Sequence, residues 1–430
     1  MSKPNLRSKD IAKSPRAFAI NLIMQCNNGA FANDIVPDAL NKSDFDKQDR
    51  ALITKIVYTT LRNQIRIDHA IARLSSKPLE KLDGIAICAL RSVTAQLLEG
   101  MSGYAVINET VKVMPLSIKG FVNGVSRKIA ELHTKNELFI DESLATKHSL
   151  PDWIYEEIEQ VFPQNIKEVA QALNTPAQVT LALYKGQSFH EHSSHYPEEH
   201  GKIIESALLV SSQGSIADLD VIKRGEALVV DQGSQLVAQC LDAQENDVIL
   251  DLCSAPGGKT FLLSQKAAMV VSADSSFSRM KKLIQTKERV NAKNVYPIVA
   301  DARSVPLDKQ FNKILIDAPC SGLGVLRRRP DARMRIEKES VLALAGLQKE
   351  ILRSAISLME YGQTLLYSVC TFTREETVEI DKWLEREYPE LVAQDLSHIN
   401  SYLKSAGRGY LLAPGDQNDG MYVLKMCRSE

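Results

Sequence analysis

Two cysteines have the residue type and the position to do covalent chemistry. Cys320 follows the apolar run Phe311–Asp317, and Cys370 ends the apolar run that begins at Thr364, so both are predicted where buried strands end. A cysteine thiolate is a strong nucleophile and a competent leaving group, and either residue could bond transiently to a substrate. Spacing alone does not decide which cysteine would attack. The alternative is that they are ordinary buried core cysteines.

Aspartates end three of the predicted strands. The runs are Val270–Asp274, Val295–Asp301 and Phe311–Asp317. In doubly wound α/β proteins, ligands bind at the carboxyl ends of parallel strands, and an acid at one such end accepts hydrogen bonds from a ribose. The repeated pattern therefore predicts a Rossmann-like α/β domain in which these acids belong to one site.

The apolar run Val248–Leu252 leads into a turn of small residues. Small side chains let a ligand approach the backbone and the start of the next helix, although such a turn alone is a weak signal. With the strand-end acids beside it, we expect the turn to bind a nucleotide-like cofactor. The predicted cofactor-binding residues are Cys253, Ser254, Ala255, Pro256, Gly257, Gly258, Lys259, Asp274, Asp301 and Asp317.

Length and composition restrict the class of protein. The chain has 430 residues, 44% of them hydrophobic, which is enough for two or three domains with cores of their own. Its net charge of −1 gives no indication of a nucleic-acid partner. Its seven cysteines have no metal-ligand spacing. No signal segment or membrane-spanning run is present, so we expect a cytoplasmic protein without a membrane part. A monomer is expected.

Residues 1–145 are predicted to form a helical bundle. Apolar residues recur at three and four positions in Arg16–Met24, Asp46–Arg62 and Ile85–Leu98. The entry segment is basic and could meet phosphate, or it could be a solubilising tail without a partner. Its basic residues are Lys3, Arg7, Lys9, Lys13 and Arg16.

Residues 146–225 are predicted to form a small α+β lobe, and residues 226–430 the Rossmann-like domain. The lobe begins with the helix start at Ser149–Trp153 and contains the strand-like runs Gln178–Tyr184 and Ala207–Val210. A histidine cluster in the lobe could hold zinc, but its polar surroundings indicate a loop, and no metal is expected. The histidines are His190, His192, His195 and His200.

Three motifs give the chain a specific resemblance. The segments LDLCSAPGGKT, ILIDAPCSGLGVLRRRPDARMR and LLYSVCTFTREE resemble motifs I, IV and VI of the S-adenosylmethionine-dependent RNA cytosine-C5 methyltransferases. The helical segments Tyr104–Val111 and Gly120–Arg127 resemble the NusB-like RNA-binding domain of the bacterial 16S rRNA methyltransferase B family. Near the end, Asp419–Met426 resembles the strand that closes the sheet of that family.

The resemblance implies a reaction and assigns its residues. The cofactor is S-adenosylmethionine, and the substrate is an unpaired or flipped cytosine in 16S ribosomal RNA. Cys370 matches the nucleophile that adds to C6 of the ring, and Cys320 matches the partner that assists its release. Asp317 would stabilise charge on the ring. By resemblance and strand-end position, Asp274 would bind the ribose hydroxyls and Asp301 the adenine.

The chain departs from the family in the lobe. Thr180 and Ala182 stand where the family has an Arg-x-Asn pair that meets the RNA, so two polar contacts are missing. Five arginines after Cys320 are expected to neutralise the phosphates of an entering strand, although they could instead be a solvated helix start. They are Arg327, Arg328, Arg329, Arg333 and Arg335.

Two other functions compete with this interpretation. A methyltransferase acting on an exocyclic amino group would carry an Asn/Asp-Pro-Pro-aromatic turn, whereas here the turn is Asp317-Ala-Pro-Cys320. A non-enzymatic RNA-binding factor could keep the fold and the NusB-like domain after its RNA contacts had decayed, as Thr180 and Ala182 would suggest. The intact cofactor and cysteine motifs favour the enzyme.

Overall fold

The computed structural model describes residues 11, 13–184, 198–210, 216, 219–307 and 311–430, and its chain divides into two units. The first unit contains Met1–Ile158 together with Leu326–Arg335, and the second contains Glu159–Val325 together with Ile336–Glu430. Within the described residues, no helix is both long enough and apolar enough to cross a bilayer. The prediction of three domains, with boundaries near 145 and 225, stays a prediction.

The first unit is built from helices, as predicted. They are α1 (Pro15–Asn27), α2 (Ala32–Asn41), α3 (Lys47–Arg62), α4 (Gln64–Leu74), a 3₁₀ turn (Leu79–Lys81), α5 (Gly84–Leu98), α6 (Gly103–Lys112), α7 (Leu116–Thr134), α8 (Leu144–Lys147) and α9 (Asp152–Val161), whose last turn belongs to the second unit. Helix α5 is buried along most of its length, and the apolar core of the bundle includes residues from α1 to α7.

Side-chain caps show why several of these helices begin where they do. Ser14 accepts a hydrogen bond from the Ala17 amide at the start of α1, and Asp46 accepts one from the Asp49 amide at the start of α3. Asp83 caps α5 in the same way. Each cap satisfies an amide that has no partner inside its helix.

The second unit contains a large sheet whose central strands are parallel. Its strands are β5 (Val248–Leu252), β6 (Met269–Asp274), β7 (Val295–Val299), β8 (Lys313–Asp317), β9 (Thr364–Val369), β10 (Leu391–Ala393), β11 (Leu403–Ala406), β12 (Gly409–Leu412) and β13 (Met421–Arg428). Strand order is β11-β12-β13-β9-β8-β5-β6-β7, and β10 pairs with β13. Strands β5 to β9 pair with one another in parallel. The antiparallel pairs are β13 with β9, β12 and β10, and β11 with β12.

Helices connect the strands of this sheet and give it the Rossmann-like fold that was predicted. They are α12 (Gln232–Leu241), α13 (Gly258–Ser264), α14 (Phe277–Arg289), α15 (Lys338–Ser357) and α16 (Val378–Glu387). Because β5 lies between β6 and β8, the chain leaves β5 at the point where the strand order reverses. Open α/β sheets bind their ligands at such a point.

A smaller antiparallel sheet precedes the large one. It has the order β2-β3-β1-β4 and is accompanied by two helices. The elements are α10 (Ile166–Asn174), β1 (Val179–Leu183), β2 (Glu198–His200), β3 (Ala207–Val210), α11 (Asp220–Lys223) and β4 (Ala227–Val229). Thr180 and Ala182 of β1 are both buried, so the positions where the family carries its Arg-x-Asn pair do not face solvent.

The predicted histidine cluster falls largely outside the described residues. His190, His192 and His195 lie outside the described residues, so the structure does not test a metal site there. His200, at the end of β2, has its Nδ1 2.9 Å from the Glu205 carbonyl oxygen.

The prediction that five arginines face an RNA strand is wrong for Arg327, Arg333 and Arg335, and it stays a prediction for Arg328 and the exposed Arg329. Arg327 is 1% exposed and Arg333 is fully buried, and both lie in Leu326–Arg335, which packs with the helical unit. Arg335 donates hydrogen bonds to the carbonyls of Cys26, Gly29 and Ala30, where α1 ends. The Arg335 guanidinium therefore binds backbone carbonyls at and just after a helix end.

Arg333 is the most enclosed of the arginines. Its Nη1 donates to the carbonyl oxygens of Arg62 and Ser149, both at 2.9 Å. Burial, followed by the nearby Arg62 guanidinium, lowers the pKa of Arg333 to about 9. The carbonyl acceptors therefore offset an environment that disfavours the charge.

Replacing Arg333 by methionine keeps most of the side-chain volume but removes its donors. The carbonyls of Arg62 and Ser149 then lose these bonds, and we expect the free energy of unfolding to fall by about 1–3 kcal/mol. Urea unfolding followed by far-ultraviolet circular dichroism measures the change. Arg329→Met, at an exposed arginine of the same segment, is the control. Equal stability of the two variants would contradict the role given to Arg333.

Candidate active site

The turn after β5 is shaped by unusual backbone conformations. Cys253 has φ +61°, Gly257 has φ +104°, and the Ala255–Pro256 peptide bond is cis. A Cβ atom on Gly257 would lie 2.7 Å from the Phe261 ring, so this position requires glycine. The tight turn brings the backbone of the predicted cofactor-binding residues to the carboxyl end of the central strand.

Asp274, at the end of β6, is tied to this turn. Its Oδ2 accepts a hydrogen bond from the Ala255 amide at 3.1 Å, and its Oδ1 accepts one from the Ser276 amide at 2.9 Å. The Arg279 guanidinium lies 3.2 Å from Asp274 Oδ2 and also donates to the Ala255 carbonyl. Sequence reasoning placed Asp274 at the site but missed Arg279. Its contacts with the Asp274 carboxylate and the Ala255 carbonyl connect Arg279 to the site.

Asp301 lies beside the same strand ends but is held differently. The Ala300 amide donates to the Asp274 carbonyl at 3.2 Å, which places the start of the Asp301 loop next to the end of β6. The Asp301 side chain is 42% exposed and accepts hydrogen bonds from the Arg303 guanidinium. Hydrogen bonding to that side chain lowers the pKa of Asp301 to about 2. The carboxylate is ionised and accessible.

Lys259 joins the cofactor turn to the end of β8. Its Nζ lies 2.7 Å from Asp317 Oδ2 and 3.5 Å from Ser234 Oγ. Burial is the largest single effect and lowers the pKa of Lys259, but its contacts with Asp317, together with nearby Cys370 and Asp251, outweigh burial and the net shift is upward. Ser368 Oγ donates to Asp317 Oδ1 at 3.0 Å. The Asp317 carboxylate is therefore fixed from both sides, while a third of its side chain stays exposed.

The side chains of Cys320 and Cys370 are in contact. Cys320 Sγ and Cys370 Sγ are 3.3 Å apart, and both residues are partly exposed. Strands β8 and β9 pair in parallel with Asp317 opposite Ser368, so the chain leaves both strands at the same edge of the sheet. A hydrogen bond to Cys370, followed by burial, raises the pKa of Cys320 well above its usual value.

Cys253 differs from this pair. Burial, followed by the Asp317 carboxylate, raises the pKa of Cys253 to about 12, so its thiol keeps its proton. Its left-handed backbone, with φ +61°, shapes the turn, and its part in cofactor binding stays a prediction.

Gly324 and Gly420 allow their backbones to pack closely beside Cys370. The Gly324 amide donates to the Cys370 carbonyl at 3.0 Å, and the Gly420 amide donates to the Gly324 carbonyl at 2.9 Å. A Cβ atom on Gly324 would lie 2.3 Å from the Gly420 carbonyl oxygen, so the backbones could not approach with a larger residue. This contact explains why the Asp-Gly segment near the end of the chain belongs to the site.

Glu376 was missed by sequence reasoning. It is fully buried and accepts four hydrogen bonds from side chains and backbone near the cysteines. The donors are Ser321 N at 2.9 Å, Ser321 Oγ at 2.5 Å, Gln348 Nε2 at 2.9 Å and Thr373 Oγ1 at 2.8 Å. A charged residue six positions after Cys370, at the end of the LLYSVCTFTREE motif, was the available signal.

Comparisons with known proteins match both the helical part and the sheet-containing part of the chain. A model of the 16S rRNA methyltransferase RsmB/F family matches residues 238–427, and a model of the NusB family matches residues 13–131. A probable ribosomal RNA small subunit methyltransferase B of Bacillus subtilis is 29% identical over 96% of this chain and 98% of its own. A Mycobacterium tuberculosis protein whose name assigns it to the methyltransferases is 33% identical, with 81% of each chain covered.

Solved structures share the fold. The crystal structure of PH0851 superposes with a TM-score of 0.77 at 20% identity and covers 99% of this chain and 100% of its own. NSun6 from Pyrococcus horikoshii, solved with SFG, has a TM-score of 0.57 at 18% identity, over 65% of this chain and 98% of its own. The sequence resemblance is confirmed: the chain belongs to the 16S rRNA methyltransferase RsmB/F family, with an S-adenosylmethionine-dependent catalytic domain that follows a NusB domain.

Proposed function

We propose that this protein methylates C5 of an unpaired or flipped cytosine in 16S rRNA through a covalent bond between Cys370 and C6. The observation that carries the proposal is the 3.3 Å distance between the sulfur atoms of Cys320 and Cys370, beside the Lys259–Asp317 ion pair. A reaction at C5 needs a nucleophile that can add and leave again, and a thiolate meets both needs. An rRNA substrate also implies a cytoplasmic enzyme.

The environment of the two cysteines supports different roles for them. Because the pKa of Cys320 is raised, its thiol retains its proton and can donate to the sulfur of Cys370. A hydrogen bond to a thiolate favours the charged form of its acceptor. The family resemblance assigns the attack to Cys370 and the assistance of its release to Cys320, and the 3.3 Å contact lets one thiol act on the other.

The proposed reaction begins and ends with the Cys370 thiolate. The Cys370 thiolate adds to C6, the C5–C6 double bond opens, and its electron pair makes C5 nucleophilic. S-adenosylmethionine, when bound, would supply a methyl group on a positively charged sulfur: C5 takes the methyl group as the methyl–sulfur bond breaks, and S-adenosylhomocysteine would leave as a neutral thioether. A base then removes the proton from C5, the double bond re-forms, and the C6–sulfur bond breaks to return the thiolate. Cys320 stabilises the departing sulfur with its proton.

Asp317 is the acid that faces the ring in this scheme. Its carboxylate is oriented by Lys259 and Ser368 and remains a third exposed, so a substrate can reach it. A proton shared between Asp317 and N3 of cytosine would stabilise the charge that develops when C6 is attacked. The fixed carboxylate needs little reorganisation during the reaction.

The residues at the other strand ends fit S-adenosylmethionine. The small-residue turn follows the end of β5, Asp274 ends β6, and Asp301 lies two residues after β7, so two carboxylates lie at the ends of neighbouring strands. Asp274 would accept hydrogen bonds from the ribose hydroxyls, and Asp301 from the adenine amino group.

Replacing Asp274 by alanine tests the cofactor assignment. We expect S-adenosylmethionine to bind more weakly by about 1–3 kcal/mol, since a charged acceptor is lost. Asp274→Asn should lose less, because its amide oxygen still accepts. Isothermal titration calorimetry measures both, with the exposed Glu339→Ala as control. An Asp274→Ala protein that binds like the control would refute the placement.

The two cysteines should fail in different ways. Cys370→Ala should abolish methyl transfer and any protein–RNA adduct while S-adenosylmethionine affinity stays unchanged, because the thiol acts in the reaction and little in the ground state. Cys320→Ala should still add and methylate, but release should slow. Denaturing gel electrophoresis with labelled 16S rRNA should therefore show a covalent adduct in the Cys320 variant.

Cys427→Ala, a partly buried cysteine of β13, is the matched control and should behave like wild type. An adduct that accumulates in Cys370→Ala instead would reverse the two roles. The absence of an adduct in both variants, with wild-type protein active, would remove the covalent mechanism.

A further inference from the structure

Glu376 belongs to the loop after β9, which carries Cys370, and its side chain contacts the loop after β8, which carries Cys320. Its Oε1 accepts from the Ser321 amide, next to Cys320, and its Oε2 accepts from Thr373 Oγ1, three residues after Cys370. Ser321 Oγ donates to Glu376 Oε2 and also lies 2.8 Å from Thr371 Oγ1. One carboxylate therefore links the loop after β8 to the loop after β9.

Gln348 of α15 holds the same loop from the other side of Cys320. Its Nε2 donates to the Pro319 carbonyl at 3.0 Å and to Glu376 Oε1 at 2.9 Å. The Cys320 backbone is thus restrained on both flanks, by Gln348 at residue 319 and by Glu376 at residue 321. Tyr367 OH completes the set: its oxygen lies 2.9 Å from Gln348 Oε1 and 2.8 Å from the Glu376 carbonyl oxygen, and its single proton can be donated to either acceptor.

The network has the properties of a support for a site. Each oxygen of the Glu376 carboxylate receives two donors, so its usual acceptor positions are filled by the protein. With no exposed surface and no free acceptor, it does not contact substrate itself. A buried carboxylate of this kind is costly unless every partner is present, and once satisfied it makes the surrounding geometry rigid.

We propose that Glu376 is a positioning residue that sets the distance between Cys320 and Cys370. The consequence for turnover rests on the proposed covalent function, whereas the spacing of the sulfur atoms does not. Without Glu376, the flank of Cys320 at Ser321 and the loop at Thr373 lose their common acceptor. Misplacement of reacting groups by about 1 Å can cost on the order of 100-fold in rate.

The spacing is measured by cross-linking the two sulfur atoms. Diamide, a diazene oxidant, takes one hydrogen from each thiol, so that a Cys320–Cys370 disulfide forms and the diazene is reduced to a hydrazine. Peptide mass spectrometry follows the rate in the full-length protein. We expect rapid cross-linking of wild type and a rate about 10- to 100-fold lower for Glu376→Ala. Glu375→Ala, the partly buried neighbour, is the matched control and should react like wild type.

Conservative variants separate positioning from loss of folding. Glu376→Gln keeps the side-chain shape and an acceptor for the Ser321 amide, so its rate should fall between those of wild type and Glu376→Ala. If Glu376→Ala does not fold, Ser321→Ala decides, because it removes a single donor and should still slow cross-linking severalfold. An unchanged rate in the folded variants, or no cross-link in wild type, would overturn the proposal.

Turnover is a second readout. Glu376→Ala should bind S-adenosylmethionine with wild-type affinity but lose turnover and accumulate the adduct expected of Cys320→Ala. Slower cross-linking without any cytosine methylation in wild type would leave the positioning role standing and refute the proposed function. Weaker cofactor binding in proportion to the loss of turnover would instead indicate a general loss of structure and would contradict positioning.

Discussion

The parallel pairing of β8 with β9 is the constraint on which the candidate site depends. Asp317 lies opposite Ser368 in this pair, and both strands end there or one residue later. The two cysteines follow within three residues of those positions, so their sulfur atoms meet. Because side chains alternate between the faces of a sheet, a shift of one residue would turn Ser368 away from Asp317. The register therefore determines both contacts at once.

Environment then separates residues of the same type. Cys253, Cys320 and Cys370 lie in or next to the same edge of the sheet, yet the pKa of Cys253 is raised mainly by burial and that of Cys320 mainly by its neighbour's sulfur. Lys259 Nζ and Asp317 Oδ2 lie 2.7 Å apart, with the lysine side chain largely enclosed and the aspartate side chain a third exposed. Pairs of similar groups given different surroundings are how a single site can hold both a nucleophile and an acid.

Local patterns predicted the parts of the fold that depend on neighbouring residues. The apolar runs ending in Asp274 and Asp317 became strands of the parallel sheet, and the small-residue turn follows β5 as expected. The sequence could not show that Arg333 meets carbonyl groups, because phosphate and carbonyl oxygens attract a guanidinium in the same way. Glu376 was hidden for a similar reason: its donors come from segments far apart in the chain, and spacing does not reveal them.

The segment Leu326–Arg335 has a consequence for how the protein is made. The helical unit comprises two stretches of chain, and residues 159–325 are synthesised between them. At roughly 5–20 residues per second, the ribosome needs about 10 to 30 s to pass from one stretch to the other. During that interval the carbonyls of Arg62 and Ser149 cannot accept the hydrogen bonds of Arg333, because Arg333 has not yet been synthesised. The bundle that emerges first is completed only after the cofactor turn and the first cysteine of the site have been translated.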